Sequence, residues 1–441
     1  MYEARRKVFW FAIISRIIVL SLQFFFNFIC PDHNADAFKA PTDNSEQISL
    51  YDSIVTFLFS GLTRWDGEYF LHIAKYGYTY ENTLAFYPLY PMLLRIISVP
   101  IRKIFFVLNV NSSILITAML VNIICFVKSA VIFYDLSKAV LKSTSVAYKA
   151  AILYCINPAT IFFSAVYSES LFAYLSYYSM LRSIKLDPYV SFPVGLSILT
   201  RSNGMVNIGF PIYYQLQNLL HTYTEKNVNF SLKTLCQFIS KIVNNLVLPG
   251  NSNVEWCHSK IPMAYSYIQK RYWNIGFLNY YEIKQIPNFI LAFPILYIMI
   301  RCIKEYFFEH KKYFYTLGFI KVIGNDVETE RKKYPTEMLV FVIHGLFLTI
   351  FCILFVHIQV STRLISSASP LIYWYCALSM CYLCPNNDNN LYDDKENVFS
   401  KWKVFFLTKK KYTLKDKLIF SYFIGYGVVG CFMFSNFLPW T

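Results

Sequence analysis

The sequence predicts an all-α polytopic membrane protein. Of 441 residues, 56% are hydrophobic and only 15% are charged, where soluble globular chains average roughly 45–50% and 25%. Aromatic residues reach 19%, with 41 Phe and 36 Tyr, and Tyr is enriched where a membrane meets water. The polar residues also gather into short segments between apolar runs, the first of which, Val8 to Ile29, is long enough to cross a bilayer.

The N-terminal Arg5-Arg6-Lys7 precedes a run near a full span of roughly 20 residues, whereas a cleaved signal core is about 7–15. It reads as a retained first helix with its basic end in the cytosol. Arg16 lies within that run, and snorkelling toward the cytosolic headgroups is the commoner use of such a residue. Further helices are expected at 112–134, 149–166, 168–184, 189–201, 203–219, 231–248, 286–303, 337–357, 364–383 and 417–437, giving about 9–11 spans. Pro158, Pro193 and Pro370 are expected to break some of them, as membrane helices allow where neighbours or a cavity satisfy the freed backbone.

Alternating these spans puts three basic loops on the cytosolic side: 135–149 (with Lys138, Lys142 and Lys149), 301–333, and the polar loop 385–417 with Lys409-Lys410-Lys411. The net charge of +15 is therefore loop charge that orients the chain, and no nucleic-acid partner is implied. The stretch 86–106, with Pro88, Pro91, Pro100 and Arg102-Lys103, reads as an amphipathic helix on the far surface. A crossing there would put loop 135–149 on the wrong side. The sequon Asn111-Ser112-Ser113 then faces the far side and Asn229-Phe230-Ser231 the cytosol. The chain reads as one membrane-embedded domain, 1–441, with 31–111 as its first far-side loop. Eleven scattered cysteines, an odd number, imply neither a disulfide framework nor a zinc site.

The same topology collects the polar segments Pro31-Asp32-His33, Arg64 to His72, Tyr167 to Ser170, Thr200 to Asn203, Tyr272 to Asn288 and His357 to Arg363 on the far side. Charged residues at helix ends beside a bilayer are costly unless they line a cavity or a polar interface. Asp66 has the profile of a general base, since a carboxylate near an apolar boundary accepts a hydroxyl proton more readily. It is equally suited to starting the helical stretch Gly67–Tyr76. Glu68 reads as a supporting or solvated acid, and the Asp-x-Glu pair is weak grounds for a metal. Trp65 suits stacking on a sugar or anchoring at the interface, and His72 lies off the Asp66 face. Arg201 and Arg363 present forks matched to a phosphate, or else close helix-end salt bridges. Glu169 sits beside a helix start, where an acid complements the dipole. No P-loop, GxGxxG, HExxH or nucleophile elbow is present.

Together these motifs resemble those of the GPI mannosyltransferase II family. The resemblance begins with Pro31-Asp32-His33-Asn34-Ala35-Asp36-Ala37-Phe38 and Arg64-Trp65-Asp66-Gly67-Glu68-Tyr69-Phe70-Leu71-His72-Ile73-Ala74. It continues through Ala85-Phe86-Tyr87-Pro88-Leu89-Tyr90-Pro91, Asn157-Pro158-Ala159, Tyr167-Ser168-Glu169-Ser170 and Arg201-Ser202-Asn203-Gly204. It closes with Tyr272-Trp273-Asn274, Tyr280-Tyr281, Gln285-Ile286-Pro287-Asn288, His357-Ile358-Gln359-Val360 and Thr362-Arg363. Tyr87 replaces the family's usual Phe, and 221–262 matches poorly.

The resemblance implies the GT-C glycosyltransferase fold in the endoplasmic reticulum membrane, with 31–111 as a luminal loop. The implied reaction is inverting transfer of the second mannose, in α1,6 linkage, from dolichol-phosphate-mannose to the mannosylated GPI precursor glycolipid. It requires no further cofactor and is compatible with a small membrane partner subunit. Asp66 would be the catalytic base. Trp65, Glu68, His72, Glu169, Arg201, Asn203, Tyr272, Trp273, Gln285, His357, Gln359 and Arg363 would bind substrate. Two other readings fit the same composition: another transferase of this fold using a dolichol-phosphate sugar, and a lipid transporter or scramblase.

Overall fold

The computed structural model describes residues 2–35, 37–38, 48–226, 264–319, 332–381 and 413–440. Among these the chain is helical, without strands. The helices are α1 (Tyr2–Ile29), α2 (Leu50–Phe59), α3 (Asp66–Tyr76), α4 (Leu89–Ile104), α5 (Val110–Leu141), α6 (Thr144–Cys155), α7 (Glu169–Ile184) and α8 (Ser191–Thr200). They continue as α9 (Gly209–Lys226), α10 (Ala264–Trp273), α11 (Ile286–Glu309), α12 (Lys311–Tyr315), α13 (Leu339–Leu354), α14 (Ser361–Ala368), α15 (Leu371–Cys381) and α16 (Leu414–Ser435).

Among the described residues, five segments are long and apolar enough to cross a membrane: Ala4–Ile29, Val110–Leu141, Ile283–Glu309, Thr336–Leu354 and Leu414–Ser435. Leu50–Leu62, Pro188–Thr200 and Leu371–Met380 are shorter apolar helices. The expected helix at 231–248, the sequon at Asn229 and most of loop 385–417 lie outside the described residues. Stretch 86–106 does form a helix, α4, whose Tyr90 and Leu94 are buried while Met92, Ile96 and Val99 are exposed.

The 32-residue helix α5 is the central pillar and packs against α1, α4, α6 and α7. Asn109 starts it, its side-chain oxygen accepting the Ser112 N–H at 2.8 Å, which satisfies one of the orphan donors at a helix start. Beside it, the expected helix 149–166 is instead α6 followed by a break at Pro158 and a 3₁₀ turn, Thr160–Phe163.

Arg16 explains how that break is tolerated. It does not snorkel: it is fully buried in α1. Its guanidinium donates to the carbonyls of Cys155 (3.1 Å) and Thr160 (2.9 Å) and to the Ser164 hydroxyl (3.2 Å). Cys155 ends α6 and Thr160 opens the 3₁₀ turn after it, so the arginine bonds backbone on both sides of the break, where the last carbonyls of a helix lack intrahelical donors. Its planar face lies 3.7 Å from the centre of the Phe126 ring.

Other proline expectations divide. Pro370 separates α14 from α15, so 364–383 is two helices. Pro193 breaks nothing, because it falls in the first turn of α8, where a missing N–H loses no helical bond. The expected helix 203–219 begins as a 3₁₀ turn, Ser202–Ile208, before becoming α9.

Candidate active site

The segment carrying Asp66 is held from below and behind. The Val166 N–H donates to the Leu62 carbonyl at 3.1 Å, tying the turn after α6 to the turn after α2. Arg64 donates to Asp32 at 2.8 Å and, through Nε, to the Ser435 carbonyl at 3.2 Å. Trp65 then takes φ +57° and ψ −121°, a conformation that costs a non-glycine residue about 1–3 kcal/mol and persists only when its surroundings impose it. Tyr167 imposes it: its buried hydroxyl accepts the Asp66 N–H at 3.0 Å and donates to the Arg64 carbonyl at 3.3 Å. Asp66 thus becomes the first residue of α3, and the same position puts its carboxylate on the cavity wall.

Two ion pairs define the polar floor. Arg363, in the first turn of α14, donates from Nη1 to Asp66 Oδ2 at 2.7 Å. Arg201, at the end of α8, bonds Glu169, the first residue of α7, whose carboxylate is fully buried. Both arginines therefore close helix-end salt bridges. Burial opposes the charge on Arg363, but Asp66 and then Glu169 outweigh it and hold the guanidinium above its ordinary pKa. Its plane lies 5.5 Å from the ring centres of Phe162 and of Tyr167. Asp66 Oδ2 is committed to Arg363, while Oδ1 has no partner among the described residues.

Above this floor opens a cavity of about 1160 Å³. Trp65, Asp66, Arg201, Asn203, Trp273, His357, Gln359 and Arg363 all line it. Asn203 contributes a buried amide with neither its oxygen nor its nitrogen bonded, and the buried Trp65 indole N–H is likewise unpartnered; both are groups that a hydroxyl-rich ligand would satisfy. Gly204 permits the turn that presents Arg201 and Asn203, since a Cβ there would lie 2.3 Å from the Ser197 carbonyl oxygen.

Five expected substrate residues do not line the cavity. Glu169 is behind Arg201 and acts through it. His72 is buried, with Nε2 2.7 Å from the Thr79 hydroxyl, and packs among Phe38, Tyr76 and Tyr80. Tyr272 donates to Glu81 at 2.7 Å, fastening α10 to the 3₁₀ turn Glu81–Ala85. Gln285 accepts from Tyr280 and from Asn288, each at 2.7 Å, behind His357 and Gln359. Glu68 lies in the first turn of α3, one residue beyond the wall.

The structure adds residues that the sequence reading passed over. Tyr280 stacks on His357, ring centres 4.5 Å apart, and its hydroxyl bonds Gln359. Burial pulls the His357 pKa below the ordinary histidine value, more than a backbone hydrogen bond at Trp273 raises it, which favours the neutral ring. Tyr69 lines the cavity with its phenol pushed up to about 12, by burial first and then by Asp66. Helix α10 roofs the cavity with Tyr265, Gln269 and Lys270. On another side Phe347, Phe351 and Phe355 of α13 and its C-terminal end form an aromatic column, successive rings 6.1 and 5.6 Å apart. Spacing of four residues on an apolar helix carried the signal for that column, but nothing local distinguished it from lipid-facing surface.

Residues 5–441 match the family described as Mannosyltransferase (PIG-V). The chain is 33% identical to the Drosophila melanogaster protein named GPI mannosyltransferase 2, across 99% of each chain. It is 31% identical, again over 99% of both, to the human protein named GPI alpha-1,6-mannosyltransferase 2. With the Schizosaccharomyces pombe GPI mannosyltransferase 2 the identity is 29%, over 76% of this chain and 69% of that protein. No solved structure matches. The chain is a multi-pass, all-α membrane glycosyltransferase and belongs to the PIG-V mannosyltransferase family.

Proposed function

We propose that this protein transfers mannose in α1,6 linkage from dolichol-phosphate-mannose to the mannosylated GPI precursor, at the luminal face of the endoplasmic reticulum membrane. The observation that carries the reading is a carboxylate–guanidinium pair, Asp66 with Arg363, on the floor of a large cavity in a chain matched over its whole length by GPI mannosyltransferases. The N-terminus is then cytosolic, and the loop 31–111 luminal.

In this mechanism Asp66 Oδ1 takes the proton of the acceptor hydroxyl as that oxygen attacks the anomeric carbon of the donor. The bond from that carbon to the phosphate oxygen breaks, its electrons leave with dolichyl phosphate, and the configuration inverts. Arg363, held in place by Asp66 and two rings, offers fixed positive charge to the leaving phosphate, with Arg201 beside it. Trp65, Trp273, Asn203, His357 and Gln359 orient the sugars. The Phe347–Phe351–Phe355 column provides an apolar side along which the donor's lipid chain can leave the cavity.

Complementation of cells lacking GPI mannosyltransferase 2 tests this, scored by GPI-anchored protein at the cell surface. Wild type should restore the signal, while Asp66→Asn, expressed equally, should lose about 10²-fold or more in transfer rate. Rescue by both would remove Asp66 from the mechanism; rescue by neither would remove the activity.

A further inference from the structure

A second cavity, of about 510 Å³, lies on the outer face of α11 and shares no lining residue with the first. Phe289, Phe293, Leu296, Tyr297 and Ile300 form one side and Ile353 of α13 the other, with Arg301 and Lys304 at its end. The spacing from 289 to 304 keeps one helix face toward the groove. At 1.5 Å per residue it runs about 22 Å, half of a bilayer of ~40–45 Å including headgroups. That is about the length of one lipid.

The charge at its end is positive. Arg301 donates to Glu305 at 2.9 Å, and Glu305 also receives Lys333 at 3.0 Å, Tyr334 at 2.7 Å and Tyr375 at 2.9 Å. Lys333 and Lys415 stand 5.3 and 5.5 Å from the centre of the Tyr375 ring. Glu309 is the other acid here, accepting the Tyr334 N–H at 3.1 Å. Arg301, Lys333 and Lys415 thus gather around Glu305, three cations on one carboxylate, and Lys304 adds a further positive charge at the groove's end. Lys304 bonds no group among the described residues and is exposed at the groove's mouth. Basic ends of grooves between membrane helices suit anionic headgroups.

We propose that this groove holds one anionic glycerophospholipid, with its acyl chain along Phe289–Ile300 and its phosphate against Arg301 and Lys304. Such a lipid would brace α11 against α13, the helix that carries the aromatic column of the active-site cavity. The site is independent of which sugar the enzyme transfers.

The test is native mass spectrometry of the purified full-length protein after incubation with equimolar phosphatidylserine and phosphatidylcholine of matched chains. Wild type should retain phosphatidylserine preferentially. Lys304→Gln should lower that preference roughly fivefold, and Arg301→Gln with Lys304→Gln roughly 25-fold, about fivefold for each cation. Leu296→Trp, which fills the groove and leaves the charges, should reduce retention of both lipids. Equal retention of both lipids by wild type, an unchanged preference in Lys304→Gln, or full retention in Leu296→Trp would each overturn the proposal. Lys304 is an exposed, unbonded side chain, so its variant reads lipid selectivity without a folding defect.

Discussion

Asp66 and Arg363 stand 297 residues apart in the chain and meet at 2.7 Å on the cavity floor. The pair does two opposed things. It holds the carboxylate in a fixed orientation with one oxygen open, and it keeps a buried guanidinium charged where, in the proposed mechanism, a phosphate departs.

Arg363→Gln should therefore lower kcat about 10²–10³-fold, the usual loss when a fixed stabilising donor is removed. Combined with Asp66→Asn it should add little further loss, because residues that act as a unit are not additive. Single-turnover assays of the three variants in microsomes would show this; multiplying losses would mean that the two act separately.

Arg16→Met should reduce stability and leave the acceptor KM of the surviving enzyme unchanged. Its removal takes the arginine's donor from the Cys155 carbonyl at the buried end of α6, at roughly 1–3 kcal/mol for an unsatisfied group. A lower thermal unfolding temperature in detergent, with normal KM, is the expected pattern. A shifted KM with unchanged stability would assign Arg16 to the substrate path instead.

Gly204→Ala should impair binding at a distance. The new methyl would collide with the Ser197 carbonyl at 2.3 Å and push the Ser202–Ile208 turn off α8, carrying Arg201 and Asn203 with it. We expect at least a tenfold drop in kcat/KM, in line with the sensitivity of reaction rates to ångström-scale misplacement. Initial rates at varied donor concentration measure it, and wild-type kinetics would show that the turn relaxes without cost.

Phe351→Ser should discriminate between donors by chain length. If the Phe347–Phe351–Phe355 column guides the lipid, KM for the full dolichol donor should rise by about 10-fold, the loss expected on removing a large apolar contact of ~1.5 kcal/mol or more. KM for a short-chain citronellyl analogue should stay near wild type. Equal effects on both donors would make the column ordinary lipid-facing surface.

Much of this architecture is written in the order of residues. Apolar runs separated by charged segments dictate a helical membrane protein, because an unpaired backbone has no partner in hydrocarbon. The Trp65-Asp66, Arg201-Ser202-Asn203 and His357–Arg363 segments stand out for the same reason: polar groups beside long apolar runs carry a desolvation cost that local sequence makes visible. What local sequence leaves open is the partner of each group. Arg16 looks like a snorkelling residue until folding brings the carbonyls around Pro158 to it. His72 and Tyr272 have the same residue chemistry as cavity residues, yet their side chains end on Thr79 and Glu81. Tyr167 and Tyr280, two tyrosines among 36, organise the site through hydroxyls whose contacts depend on tertiary packing. Periodicity and hydropathy select the elements and their ends, since those are short-range properties of the chain. Long-range packing alone decides which helix ends converge, and with them which of the charges become an ion pair on the cavity floor.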